Sequence, residues 1–239
     1  MPTEINREEV LTMAAVGAQL VETLPVGQYE EERLPGAVSI PLKNLDGRTA
    51  ATLDRNKAVI VYGYDYQCDL SARAAWRLES FGFTQVFRYA AGKADWFANG
   101  LPREGKQAGV PHAGDLARTD TPTCHLQDRV GAVYDRVQAS GWDMCVVVNG
   151  RRVPLGALSL DAMVTDPNAA AEELMELGPT TIRPNWTFEE ASEYLKRQNQ
   201  DRVLITTSDG ILIGVYFQAD AERRMDNFRR QVKRATSRS

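Results

Sequence analysis

The sequence predicts an α/β domain followed by an α+β module made of two copies of one unit. Three observations carry that reading: a strand, loop and helix over Val59 to Gly82, a loop-like stretch over Arg103 to Gly114, and a repeat beyond it offset by 58 residues. The 239 residues suffice for two ordinary domains, and 43% hydrophobic with 25% charged residues is the balance of a globular chain that can bury a core.

In the first domain Val59, Ile60, Val61 and Tyr62 form a β-branched and aromatic run too short for a helix, which reads as a buried strand. A loop follows from Gly63. Asp69 or Ser71 is placed to cap the next helix, whose Ala74, Ala75, Leu78 and Phe81 recur at helical spacing and which stops at Gly82. A loop feeding a helix N-terminus gathers free backbone N–H groups and the positive end of the helix dipole, so it suits an anion. The anion-binding residues expected here are Gly63, Tyr64, Asp65, Tyr66, Gln67, Cys68 and Asp69.

Leu34-Pro35-Gly36-Ala37-Val38-Ser39-Ile40-Pro41-Leu42, the helix SARAAWRLESFGF, a Val86-Phe87 strand and the closing segment AAGKADWFANGLPREG together resemble a rhodanese-like domain. The match is to that family's H-[IL]-P-G-A-x-x-[IL]-P and G-G-x-x-x-W-x-x-x-G-L-P patterns, and it covers residues 1–105. It implies a three-layer α/β fold around a parallel sheet. In active members a cysteine directly after the strand carries sulfur as a persulfide, and here that position is Gly63. Glu22, Leu24 and Arg33 stand where the family usually has Asp, Arg and His. Some members carry a second cysteine near the place of Cys68, which leaves two readings open. Cys68 is either a displaced catalytic sulfur carrier, its thiolate favoured by the adjoining helix N-terminus, or a small half-buried residue in an inactive loop.

Beyond a linker at 106–114 the chain repeats itself. Trp142-Asp143 leading into Met144–Val148, then Gly150 and Gly156, lines up with Gln200-Asp201 leading into Arg202–Thr206, then Gly210 and Gly214. The openings Pro122-Thr123-Cys124 and Pro179-Thr180-Thr181 align at 57, a slip of one residue. Each copy reads short strand, helix, strand, turn, strand, helix. The first helix runs from Gln127 to Ala139; Asn149-Gly150 marks a hairpin between strands ending at Val148 and starting at Val153. In the second copy Thr187 and Glu190 form a capping box for a helix through Lys196, and Asp209-Gly210 marks the matching hairpin.

This tandem unit, 115–221 with copies at about 115–165 and 174–221, resembles a pair of CBS motifs. The resemblance implies one module from two motifs, homodimers of modules, and clefts that bind an adenine nucleotide such as AMP, ADP or ATP. Family sites for ribose tend to read G-x-x-[ST]-x-x-[DN] after the last strand. The second copy keeps Gly214 and Asp220 but has Phe217 at the hydroxyl position; the first keeps Gly156 and Ser159 but has Ala162 at the acidic one, with Asp161 a residue early. The nucleotide-binding residues implied are Thr180, Thr181, Gly214 and Asp220 in one cleft, with Ser159 and Asp161 at the other.

A net charge of −4 argues against a general nucleic-acid surface, and no apolar run approaches the roughly 18 residues that span a bilayer. The N-terminus MPTEINREEV lacks the basic flank and apolar core of a signal peptide, and Cys68, Cys124 and Cys145 make no C-x-x-C pair, which together point to a reducing cytoplasm. His112 and His125 are the only histidines, so no metal site is expected, and no covalent cofactor. The tail 222–239 sets Met225, Phe228 and Val232 on one helical face among arginines, a stripe suited to packing on the module or across a dimer. Three functions follow: a nucleotide-sensing regulatory protein whose rhodanese-like domain is inactive and binds an anion or a partner, a sulfurtransferase using a Cys68 persulfide, or a ligand-free dimerisation scaffold.

Overall fold

The computed structural model describes residues 2–236; Met1 and residues 237–239, the outer ends of the expected first domain and basic tail, lie outside the described residues. The chain divides into two units, 1–110 and 111–239.

The first unit runs β1 (Thr3–Glu4), α1 (Arg7–Ala15), β2 (Gln19–Glu22), α2 (Val26–Glu31), β3 (Val38–Ser39), α3 (Gly47–Ala50), β4 (Val59–Tyr62), α4 (Leu70–Ser80), β5 (Val86–Tyr89) and α5 (Gly92–Ala98). Its five strands lie in the order β1-β5-β4-β2-β3, and every neighbouring pair is parallel. Parallel neighbours need crossovers, and the crossovers cover both faces. In β4, Val59 and Val61 pack with Ala74, Ala75 and Leu78 of α4, whereas Ile60 and Tyr62 pack with Val10 of α1 and Trp96 and Phe97 of α5. The result is a three-layer α/β domain. Gly82 closes α4 with φ +88°, and the Phe83 N–H donates back to the Leu78 carbonyl at 3.2 Å. Glu22, Tyr62 and Tyr89 end β2, β4 and β5 in adjacent register, so the loop after Tyr62 leaves from the carboxyl edge of the sheet.

The second unit begins with α6 (Ala113–Leu116). Its first copy comprises β6 (Thr123–Cys124), α7 (Val130–Ala139), β7 (Met144–Val148), β8 (Pro154–Ser159) and α8 (Leu160–Thr165). After α9 (Ala171–Leu174) and β9 (Glu176–Leu177) comes the second: β10 (Thr181–Ile182), α10 (Phe188–Gln198), β11 (Arg202–Thr206), β12 (Leu212–Phe217) and α11 (Gln218–Thr236). Strand pairing holds one offset throughout. Thr123 pairs with Val146 and Thr181 with Leu204, each 58 residues apart from its counterpart, so the slip to 57 expected at the openings does not occur. The ladder, not the Pro-Thr dipeptide, sets the alignment.

The copies exchange their leading segments. Arg118 trades backbone hydrogen bonds with Val215 of β12 at 2.8 and 3.0 Å, and its counterpart Glu176 in β9 pairs with Ala157 of β8. His112 likewise bridges Thr187 while Ala170 bridges Arg129. Each segment before a copy therefore edges the sheet of the other. Gly214 and Gly156 sit under these crossings: a Cβ on Gly214 would lie 2.2 Å from the Arg118 carbonyl oxygen. Residues 112–117 belong to this second core, with Ala113, Leu116 and Ala117 packed against Ala191 and Leu195 of α10 and Met225 of α11. Phe228 joins that cluster, and Val232 is 48% exposed.

The hairpins match, the second through its Asp209-Gly210 dipeptide as expected, the first not through Asn149-Gly150. The Asn149 N–H donates to Val153 and that of Thr207 to Ile211, and the left-handed position is taken by Arg152 (φ +61°) in one and Gly210 (φ +82°) in the other. Gly150 instead lies in a turn held by Asn149 Oδ1, which accepts from Arg151 and Val153. The first helix starts at Val130 rather than Gln127, while the Thr187–Glu190 capping box forms as the spacing implies.

Candidate functional site

The loop of the first unit is built on the sheet edge and filled from within. Gly63 is buried, and a Cβ placed on it would lie 2.7 Å from Cys68 Sγ, so the Cys68 thiol occupies the space of the absent side chain. Asp65 Oδ1 accepts from the Gln67 N–H at 2.9 Å and the Cys68 N–H at 3.2 Å. A carboxylate of the chain thus holds two of the loop amides. The first amides of α5 are also engaged, Lys93 with the Gly63 carbonyl at 3.1 Å and Ala94 with that of Tyr64 at 2.8 Å. Neither expected cap of α4 forms: Asp69 has helical backbone and makes no side-chain capping bond, and Ser71, buried one residue inside the helix, accepts from Arg88 Nε at 3.2 Å. Tyr64, Tyr66, Gln67 and Asp69 are exposed.

Beneath the loop lies a buried ion pair. Lys93 Nζ donates to Glu22 Oε1 at 2.8 Å and to the Gln28 carbonyl at 2.9 Å, and the Tyr62 hydroxyl donates to Glu22 Oε2 at 2.8 Å. Burial holds the Glu22 carboxyl above its usual range against the pull of Lys93 and Tyr62, and the same burial pushes the Tyr62 hydroxyl far above its own. Leu24, where the family resemblance implied arginine, is buried in this region.

In the second unit Asp220, in the first turn of α11, borders an open cleft of about 620 Å³ with Asp115, Arg118, Thr119, Asp120 and Arg224. Asp220 is ion-paired with Arg223 and retains 26% side-chain exposure. Thr180 instead borders a separate cleft of about 220 Å³ with Ala157, Glu176 and Arg202, and Thr181 pairs with Leu204 inside the sheet. Asp220 is therefore brought together with 118–120, not with Thr180. The exchanged leading segments cause this, because the stretch before the first copy lies against the last strand of the second. The repeat offset, extended back to 118, would have found it. Gly214 is buried under Arg118 and is demanded by packing. Ser159 spends its hydroxyl on the Ala162 N–H at 3.2 Å as the cap of α8, and Asp161 is exposed in the first turn. Phe217, at the hydroxyl position, packs on Trp142 at 5.5 Å between centroids, with Arg202 at 5.0 Å.

Arg118 on this cleft and Arg202 on the Thr180 cleft are both paired with carboxylates. Arg118 donates to Asp120 through Nε at 3.2 Å and Nη2 at 2.9 Å, and Arg202 donates to Asp143 and Asp201. These guanidiniums hold the Asp120, Asp143 and Asp201 carboxyls below their usual range.

Family models match part of each unit. A rhodanese-like domain matches residues 6–99 and a CBS domain matches residues 171–225. The chain carries a rhodanese-like domain followed by a CBS domain. The CBS match falls on the second copy, whose elements the first copy repeats at the offset of 58. No curated protein matches the chain. Among solved structures, the CBS domains of a transcriptional regulator from Streptococcus pneumoniae align at 16% identity over 47% of this chain and 97% of theirs, with a TM-score of 0.43. CBSX2 from Arabidopsis thaliana aligns at 16% identity over 51% and 98%, TM-score 0.44. A structure of CBSX2 in complex with AMP aligns at 16% identity over 50% and 99%, TM-score 0.45. Among the described residues no helix is long and apolar enough to cross a membrane.

Proposed function

We propose that this is a regulatory or sensory protein whose CBS pair binds an adenosine-containing ligand and whose rhodanese-like domain, without sulfur chemistry, recognises a partner. The observation that carries the reading is Asp220, a half-buried carboxylate at the start of α11 on an open cleft of about 620 Å³. A carboxylate so placed accepts hydrogen bonds from both ribose hydroxyls, and such charge-assisted bonds contribute about 1.5–3 kcal/mol each. Asp115, Asp120 and Asp220 outnumber Arg118 and Arg224 in the lining, and Phe217 offers no hydroxyl, so adenosine or AMP binds at least as well as ATP. In the first domain, Asp65 already engages the loop amides, which favours recognition through exposed Tyr64 and Tyr66 over capture of a free anion. The protein acts as a homodimer through the CBS module, with free thiols suited to a reducing cytoplasm. Calorimetry with adenosine, AMP and ATP tests this: Asp220→Ala weakens binding at least tenfold, about 1.4 kcal/mol. Equal binding by that variant, or no heat with any of the three at millimolar concentration, leaves the scaffold as the better description.

One observation favours a second reading, a sulfurtransferase. Cys68 Sγ stands in the space beside Gly63 that a nucleophile's side chain would fill. Turnover of thiosulfate and cyanide that vanishes in Cys68→Ser would establish it.

A further inference from the structure

Trp142, which leads into β7, is only 3% exposed, although it lies next to the Asp220 cleft. Part of its cover is the core, Phe217 packing on it at 5.5 Å between centroids, and part is a side chain of the cleft itself. The Arg118 guanidinium carbon sits 4.0 Å from the Trp142 ring centroid, the arginine side chain remaining 30% exposed. Asp120 fixes both members of this stack: it accepts two hydrogen bonds from Arg118, at 3.2 and 2.9 Å, and one from Trp142 Nε1 at 3.4 Å. The Arg118 backbone is locked onto Val215, so only the side chain is free to swing. Asp143 and Asp220 also act on its charge, which leaves the guanidinium carboxylates to face when it moves. A guanidinium and a purine are both flat and both stack on an indole.

We propose that Arg118 holds the stacking position of the ligand's base and that an adenine binds by displacing this guanidinium from Trp142. Arg118 is then a competitor built into the cleft and determines its affinity. This rests on the adenosine reading of the Asp220 cleft, and the experiment separates the two.

Adenosine is titrated by calorimetry into the full-length parent, Arg118→Ala, Asp120→Asn, Asp220→Ala, and Arg118→Ala combined with Trp142→Leu. Arg118→Ala is expected to bind at least fivefold tighter than the parent, and Asp120→Asn, which loosens the stack without deleting the arginine, to move the same way by a smaller factor. Adding Trp142→Leu is expected to abolish the gain. Should Arg118→Ala fail to fold, the sign for Asp120→Asn decides. Binding by Arg118→Ala that equals or falls below the parent's overturns the proposal while the adenosine reading stands. A gain in Arg118→Ala together with no loss in Asp220→Ala supports the stacking role and refutes the ribose role. Absence of binding in the parent and in Arg118→Ala alike overturns both.

Discussion

Cys68 places its Sγ 2.7 Å from the point where a Cβ on Gly63 would sit, so the loop tolerates a side chain at one of these positions but not at both. The residue after β4 has no side chain, and the space beside it is filled from five residues downstream. A thiol needs more than the right neighbourhood, since reacting groups must be held within about 0.5 Å of productive geometry. Thiosulfate-to-cyanide transfer is therefore expected at background, unchanged in Cys68→Ser. Gly63→Cys alone brings two sulfur-bearing side chains into collision and costs about 1–3 kcal/mol of stability. Combining it with Cys68→Ala relieves the collision, so the double variant melts above the single one; equal melting temperatures would show that the loop simply opens.

Lys93 and Glu22 form the sharpest energetic test of the first domain. Glu22 is fully buried and the Lys93 side chain 4% exposed, so neither charge has water to fall back on. Glu22→Gln leaves the ammonium facing one neutral amide and the Gln28 carbonyl. A broken buried pair costs roughly 3–5 kcal/mol, more than an apolar replacement of both partners. Denaturant unfolding should show that loss in Glu22→Gln and a recovery of most of it when Lys93→Met is added. A double variant no better than the single would mean that the Tyr62 and Gln28 contacts, and not the charge pair, carry the stability.

Much of this architecture was legible in the residues. The β-branched run Val59 to Tyr62, the α4 spacing ending at Gly82 and the Thr187–Glu190 capping box are local signals, and local hydrogen bonding honours them. What escaped was whatever depends on contacts distant in sequence. Asp220 and Thr180 look like neighbours because each belongs to the second copy, yet the exchanged edges give Asp220 the Arg118–Asp120 segment, 100 residues upstream of it. The stack of Arg118 on Trp142 carries no sequence signature. At the α4 terminus the acidic cap residue was misplaced for a different reason: Asp69 has helical backbone (φ −79°, ψ −9°), whereas a capping side chain reaches the first-turn amides from extended backbone.

Gly214 and Gly156 test the exchange directly, because they are equivalent positions with unequal neighbours. A Cβ at Gly214 meets backbone, the Arg118 carbonyl oxygen at 2.2 Å, whereas at Gly156 the nearest atom is Met175 Sδ at 2.5 Å, on a flexible side chain, and the equivalent Glu176 carbonyl oxygen stands farther off at 2.9 Å. Backbone cannot step aside without breaking the Arg118–Val215 pairing. Gly214→Ala is expected to destabilise by at least about 1–3 kcal/mol, and Gly156→Ala by less. Hydrogen exchange adds a readout specific to the crossing: the Val215 amide loses protection in Gly214→Ala. Equal effects of the two substitutions would contradict the asymmetry.

Acid should weaken the second domain through its arginine-held carboxylates. Arg202 donates to Asp143 at 2.5 Å and to Asp201 at 3.0 Å, and both carboxyls lie below their usual range in the folded chain. A carboxyl whose folded value is depressed adds stability at pH above its unfolded value, about 3.9, and that contribution is lost as pH falls through the folded one. Glu22 runs the other way. Its folded value is raised, so its contribution is complete at low pH and falls as pH rises through that value, and it cannot produce an acid-induced loss. Asp143 and Asp201 are 58% and 75% exposed, so solvent and salt screen the pairs and the effect is modest. Replacing Arg202 by Gln returns both carboxyls toward ordinary values. The melting temperature of this variant should lie below the parent's near neutral pH, with the gap closing as pH falls below about 4. Curves that stay parallel down to about pH 3 would assign the role of Arg202 to its stacking on Phe217.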